Sequence, residues 1–131
     1  MAWAIALLPG VWLQAVALVA LAAVGVPICT AAIRRLGGSK DPGSIVFDEI
    51  VGMAASLWAI DVSRPANLVA GFLLFRLFDI AKPPPVRNVE RLPDGLGVMA
   101  DDCVAAVYAN LSLRLLLWIL GYFVANRVVA G

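Results

Sequence analysis

VWLQAVALVALAAVGVPICTAAI, residues 11–33, holds no charged side chain and runs directly into Arg34-Arg35. About 20 apolar residues suffice to cross the hydrocarbon of a bilayer as a helix. The stretch therefore reads as a membrane span, kinked at Pro27 and closed by the arginine pair. Gly37 and Gly38 then open a polar connection through Ser39, Lys40, Asp41 and Pro42.

The rest of the chain has the same character. Its 131 residues are 63% hydrophobic and 15% charged, with a mean hydropathy of +0.94. An ordinary soluble domain is roughly 45–50% apolar and about 25% charged. The composition points to an integral membrane protein, with length for one compact domain over residues 1–131. A formal net charge of +1 supplies no basic field for nucleic acid. Cys29 and Cys103 lie among apolar neighbours and are expected to be buried reduced thiols. With no histidine in the chain, a zinc set cannot be assembled. Met1 to Leu8 is apolar without a positive n-region or a cleavage site, so it reads as part of a retained membrane segment.

Three further helices follow. Ser44 is placed to cap the second, predicted to run to about Ile60. After a turn at Asp61 to Pro65 comes a third, about Ala66 to Ala81, stopped by Pro83-Pro84-Pro85. It is short for a full span. A polar segment from Lys82 to Gly97 carries the turn signal Pro93-Asp94-Gly95. The fourth helix is predicted to start near Val98 to Asp101 and to reach about Ala125. The expected fold is all-α, a polytopic membrane bundle of about four helices.

Charge sets the orientation. Arg34, Arg35 and Lys40 follow the first helix, and Lys82, Arg87 and Arg91 follow the third; Arg64 and Arg127 fall on the other side. The positive-inside rule assigns the first two groups to the cytoplasm. Six of the nine carboxylates then cluster on that side: Asp41, Asp48-Glu49, Asp79 and Asp101-Asp102. Asp41 reads as a turn residue. The other five stand at three helix ends of equal depth, where uncompensated carboxylates near lipid are expensive.

Carboxylates without histidine or cysteine suit a hard cation, Mg²⁺ or Mn²⁺. Arg76, Lys82 and Arg87 on the same face are natural partners for a phosphate. Acids that hold a metal beside bases that hold phosphate point to phosphoryl chemistry, and an interfacial site suits a lipid phosphate. Each piece also has a plainer explanation. Asp48-Glu49 and Asp101-Asp102 could be helix N-terminal acids, worth about 0.3–1 kcal/mol each. Arg76 with Asp79 could be a simple i,i+3 ion pair, and Lys82 and Arg87 could be topological anchors. Other phosphatase chemistries fit less well. A phosphohistidine route lacks its residue, Cys29 and Arg35 have the spacing of cysteine phosphatases without a glycine-rich cradle, and no D-x-D pair offers an aspartyl nucleophile.

Three blocks in order carry a resemblance. Lys40-Asp41-Pro42-Gly43-Ser44-Ile45-Val46-Phe47-Asp48-Glu49-Ile50-Val51-Gly52-Met53 is the first, and Gly71-Phe72-Leu73-Leu74-Phe75-Arg76-Leu77-Phe78-Asp79-Ile80-Ala81-Lys82-Pro83 the second. The third is Gly95-Leu96-Gly97-Val98-Met99-Ala100-Asp101-Asp102, continuing to Tyr108-Ala109. Over about residues 36–110 the chain resembles the phosphatidylglycerophosphatase A family.

The resemblance implies a Mg²⁺-dependent lipid phosphatase of the bacterial inner membrane, multi-pass, with its site on the cytoplasmic face. Its substrate would be the phosphomonoester of phosphatidylglycerophosphate, and its products phosphatidylglycerol and inorganic phosphate. Asp48, Glu49, Asp79, Asp101 and Asp102 are the implied catalytic acids, with Asp48, Glu49, Asp79 and Asp102 as metal ligands. Arg76 and Lys82 would bind phosphate, with Arg87 more peripheral. Asp94 and Ala106 stand where the family often has glycine, and a family segment of about one helix is expected ahead of the point where this chain starts. A non-catalytic remnant, or a cation-transport or interaction subunit, is the alternative. The partners implied are the phospholipid substrate and the bilayer, with a homo-oligomer left open.

Overall fold

The computed structural model describes residues 2–35 and 46–130. Six helices account for its regular structure: α1 (Ala2–Ala6), α2 (Val11–Arg35), α3 (Phe47–Ser56), α4 (Pro65–Ala81), α5 (Val86–Val89) and α6 (Asp94–Ala130). There is no strand among the described residues. The all-α expectation holds. Of the about four membrane helices expected, two among the described residues have the length and hydropathy to cross a membrane, Val11–Arg35 and Asp94–Asn126.

The apolar start is not continuous with α2. Gly10 takes a left-handed φ of +87°, and Gln14 Nε2 reaches back to donate to Ala6 O at 3.0 Å and Leu8 O at 3.1 Å. Helix α2 then passes unbroken through Pro27. α6 runs antiparallel to it: Gly95 packs on the α2 backbone at Val26 and Thr30, and further along Met99 meets Gly25.

Two boundaries differ from the sequence reading. Helix α3 ends at Ser56 instead of about Ile60 because its last carbonyls are taken by other elements. Asn110 Nδ2 donates to Ser56 O and Trp58 O at 2.9 Å, Arg114 Nη2 donates to Trp58 O at 2.9 Å, and Ala59 N donates to Gln14 Oε1 at 3.0 Å. Ten residues rise only about 15 Å, half the hydrocarbon thickness. Arg114 thus ties down the turn that follows α3 and lies over the Trp58 ring at 5.7 Å.

Helix α6 begins at Asp94, a turn earlier than predicted. The Pro93-Asp94-Gly95 signal becomes the helix start, because Asp94 makes the turn in one residue at φ +50°. Gly95 N then donates to Thr30 Oγ1 at 3.1 Å, satisfying one of the orphan amides of a helix start.

The interior is built around small residues. Phe75 of α4 packs on Ala105, Ala106 and Ala109 of α6; Leu57, Ile60 and Leu113 close the far end. Large apolar side chains outside this core remain exposed, among them Trp12 and Val19 on α2 and Trp118 and Phe123 on α6. Such surface on long apolar helices faces lipid without penalty.

Candidate active site

α3 packs against both α4 and α6, and Gly52 is what lets it approach. A Cβ at Gly52 would lie 2.7 Å from the Phe75 ring and 3.2 Å from Asp102 Cβ. One turn earlier, Asp48 and Glu49 occupy the first turn of α3. The cap expected from Ser44, like the turn residues Lys40 and Asp41, lies outside the described residues. Val46 holds the N-cap position without a side-chain cap bond.

The three acidic clusters meet. Arg76 Nη1 donates to Glu49 Oε1 at 2.8 Å and stands 3.2 Å from Asp79 Oδ2, tying the start of α3 to the end of α4. Lys82, just past α4, donates from Nζ to Asp101 Oδ2 at 2.9 Å and Glu90 Oε1 at 2.8 Å. Asp48, Asp101 and Asp79 all bear on Asp102 electrostatically. Two cations thus serve six carboxyl groups, which leaves the site rich in negative charge.

Burial distinguishes the acids. Asp48, Asp101 and Asp102 are 8%, 6% and 4% exposed. Asp48 Oδ1 and Asp102 Oδ2 are buried with no hydrogen-bond partner among the described residues. An unpaired buried carboxylate oxygen is among the most costly groups a fold can hold. The N-terminal dipole accounts for acids at the start of α3 but not for burying one unpaired. For Asp101 and Asp102 that explanation fails altogether, since they stand two turns inside α6.

Burial is the main reason the Asp48 carboxyl is pushed up to about 6, with Glu49 and Asp101 adding to it against the backbone amides of Glu49 and Asp48. At Lys82 burial pulls the ammonium down, but the bonds from Asp101 and Glu90 outweigh it and the net shift is upward. The lysine stays charged.

Of the predicted site residues, Asp48, Glu49, Asp79, Asp101, Asp102, Arg76 and Lys82 converge. Arg87 does not join them; it is exposed on α5, with no ion pair among the described residues. Glu90 was missed. Its one signal in the sequence is an acid eight residues after Lys82, across the proline turn. Among the described residues no three histidine, cysteine or acidic side chains form a ready-made metal cage. The unpartnered oxygens of Asp48 on α3 and Asp102 on α6 are nevertheless the donor type a hard divalent cation takes.

The family model described as Phosphatidylglycerophosphatase A matches residues 1–117. Among curated proteins, a Haemophilus influenzae phosphatidylglycerophosphatase A is 49% identical over 73 residues, covering 55% of this chain and 45% of that protein. The Escherichia coli protein of the same name is 40% identical over 85 residues, 64% of this chain and 49% of its own. A Bacteroides thetaiotaomicron protein, provisionally named a phosphatidylinositol-3-phosphatase, is 40% identical over 88 residues, 63% and 53%. The chain spans about half the length of the curated relatives it matches. No solved structure matches it.

Proposed function

The chain belongs to the phosphatidylglycerophosphatase A family, and from that membership we propose that it is a Mg²⁺-dependent lipid phosphatase. It hydrolyses the phosphomonoester of phosphatidylglycerophosphate to phosphatidylglycerol and inorganic phosphate, at the cytoplasmic face of a bacterial inner membrane. The observation that carries this reading is the pair of buried, unpartnered oxygens on Asp48 and Asp102, with Arg76 and Lys82 beside them. The names of the Haemophilus and Escherichia relatives support the substrate.

Asp48 and Asp102 would hold the cation, with Asp79 and Glu49 next to them. When bound there, Mg²⁺ supplies polarisation of the phosphoryl oxygens and offsets the excess negative charge. The chain's own groups do the rest. Arg76 is held by Glu49 and Asp79 so that its planar fork stays in the site, where it can take phosphate oxygens as a pair. Lys82 adds a point charge. Asp79, held by Arg76, would take a proton from attacking water and return it to the leaving alcohol. Each step needs charge at the site and the lipid's tails outside it, and the α2 and α6 surfaces provide the apolar side.

The test is phosphate release by the detergent-purified chain from phosphatidylglycerophosphate and from phosphatidylinositol 3-phosphate, with Mg²⁺ or with EDTA. Metal-dependent release, faster from the first lipid, is expected. Preference for the second would move the substrate to that suggested by the Bacteroides relative's name. No release from either would favour a non-catalytic or transport role.

A further inference from the structure

Residues 83–93 form a strap between α4 and α6 that packing and a neutral hydrogen bond already hold in place. Tyr108 Oη donates to Pro84 O at 2.9 Å, and its ring stacks on Phe78 at 5.4 Å between centroids. Val86 is fully buried. Gly97 lies so close beneath the strap that a Cβ there would stand 2.7 Å from Glu90 O and 2.6 Å from Leu92 O. Packing therefore sets where Glu90 stands before its side chain makes any bond.

Lys82 is the opposite case. An ammonium on four rotatable bonds carries about 2 kcal/mol of rotamer entropy, and at a membrane edge it tends to extend toward water. Its backbone is also left-handed, φ +44°, a conformation that costs a residue with a Cβ about 1–2 kcal/mol. Strain of this kind persists where surrounding contacts over-determine it. Here Lys82 N donates to Phe78 O at 2.9 Å to close α4, while the side chain meets Asp101 on one side and Glu90 on the other. A lysine has three N–H donors. Two are engaged among the described residues, which leaves the third for a phosphate oxygen.

We propose that Glu90 is a positioning residue: its carboxylate holds the Lys82 ammonium inward beside Asp101, so that the cation meets the substrate phosphate at a fixed place. One acid would leave the ammonium free to swing about a single contact; a second, from a separately anchored segment, removes that freedom. The role rests on the phosphatase reading above.

Two independent readouts test it on the full chain in detergent. Lys40 and Lys82 are the only lysines, so limited acetylation followed by mass spectrometry reads Lys82 against an internal reference. Glu90→Gln should raise the Lys82:Lys40 labelling ratio severalfold with the melting temperature unmoved, and Glu90→Asp should restore part of the protection. With phosphatidylglycerophosphate, Glu90→Gln should lower kcat/KM about tenfold, mostly through KM, as loss of uniform phosphate binding does. In a Lys82→Ala background the same substitution should cost less than about twofold, because the two residues act as one unit. An unchanged labelling ratio, or a full tenfold loss without Lys82, would overturn the proposal. A wild-type chain that releases no phosphate would overturn the phosphatase reading instead, while the labelling ratio still decides whether Glu90 holds Lys82.

Discussion

Asp48 states in one side chain what the site exchanges for its chemistry. Burial pushes its carboxyl from the usual 3.8 up to about 6, so ionising it opposes folding. The native state binds that proton more tightly than the unfolded chain. Its penalty is absent below pH 3.8, grows as pH rises between 3.8 and 6, and is complete above. At 1.36 kcal/mol per unit the full penalty is about 3 kcal/mol at most. Asp48→Asn should therefore raise the melting temperature of the protein in EDTA at pH 7.5, leave it unchanged at pH 3.5, and abolish phosphate release. Thermal unfolding at the two pH values checks this; equal stability at pH 7.5 would contradict it. Lys82 carries the converse strain. Lys82→Gly and Lys82→Ala should be equally impaired in activity, with the glycine variant more stable by about 1 kcal/mol because its backbone accepts φ +44° freely. At this scale the sequence was informative: charged types at odds with an apolar chain marked Asp48, Asp79, Asp101, Asp102, Arg76 and Lys82. Glu90 stayed hidden because an acid in a polar segment is unexceptional until the strap's packing shows where it points.

Elements were legible where composition forced them and not where other elements decided. The uncharged run from Val11 fixes α2, and prolines bound α4 at both ends. The end of α3 is set instead by Asn110, Arg114 and Gln14, residues 45 to 56 positions away from the backbone groups they bind; no local pattern could reveal that. The start of α6 was misplaced for a related reason. Gly95 and Gly97 look like loop residues, yet they are glycines because α2 and the strap press against them. Gly97→Ala should destabilise the protein by about 1–3 kcal/mol, since the atoms it meets are backbone carbonyls that cannot step aside. Gly121→Ala, with open space around it, should be neutral or slightly stabilising. Chemical denaturation of the two variants side by side measures the contrast.

At the scale of the whole molecule, two long apolar helices frame a shorter hairpin of α3 and α4, and the acids gather where the hairpin's charged ends meet α6. The α6 rise from Asp94 to Asp102 is about 12 Å, which sets the site below the basic end and inside the protein. The proposed orientation places the strap in the cytoplasm and the Asp61–Arg64 turn across the membrane. A cysteine introduced at Asn88 should be reached by an impermeant thiol reagent only after the membrane is opened, and one at Ser63 from outside intact spheroplasts. The reverse pattern would invert the topology. The central claim, that the buried carboxylates are a working phosphatase site and not a structural cluster, is tested most directly by phosphate release from phosphatidylglycerophosphate by Asp79→Asn in detergent with Mg²⁺. The account predicts a folded protein of wild-type melting temperature or higher whose release falls to the no-enzyme background. Full activity in that variant would contradict it.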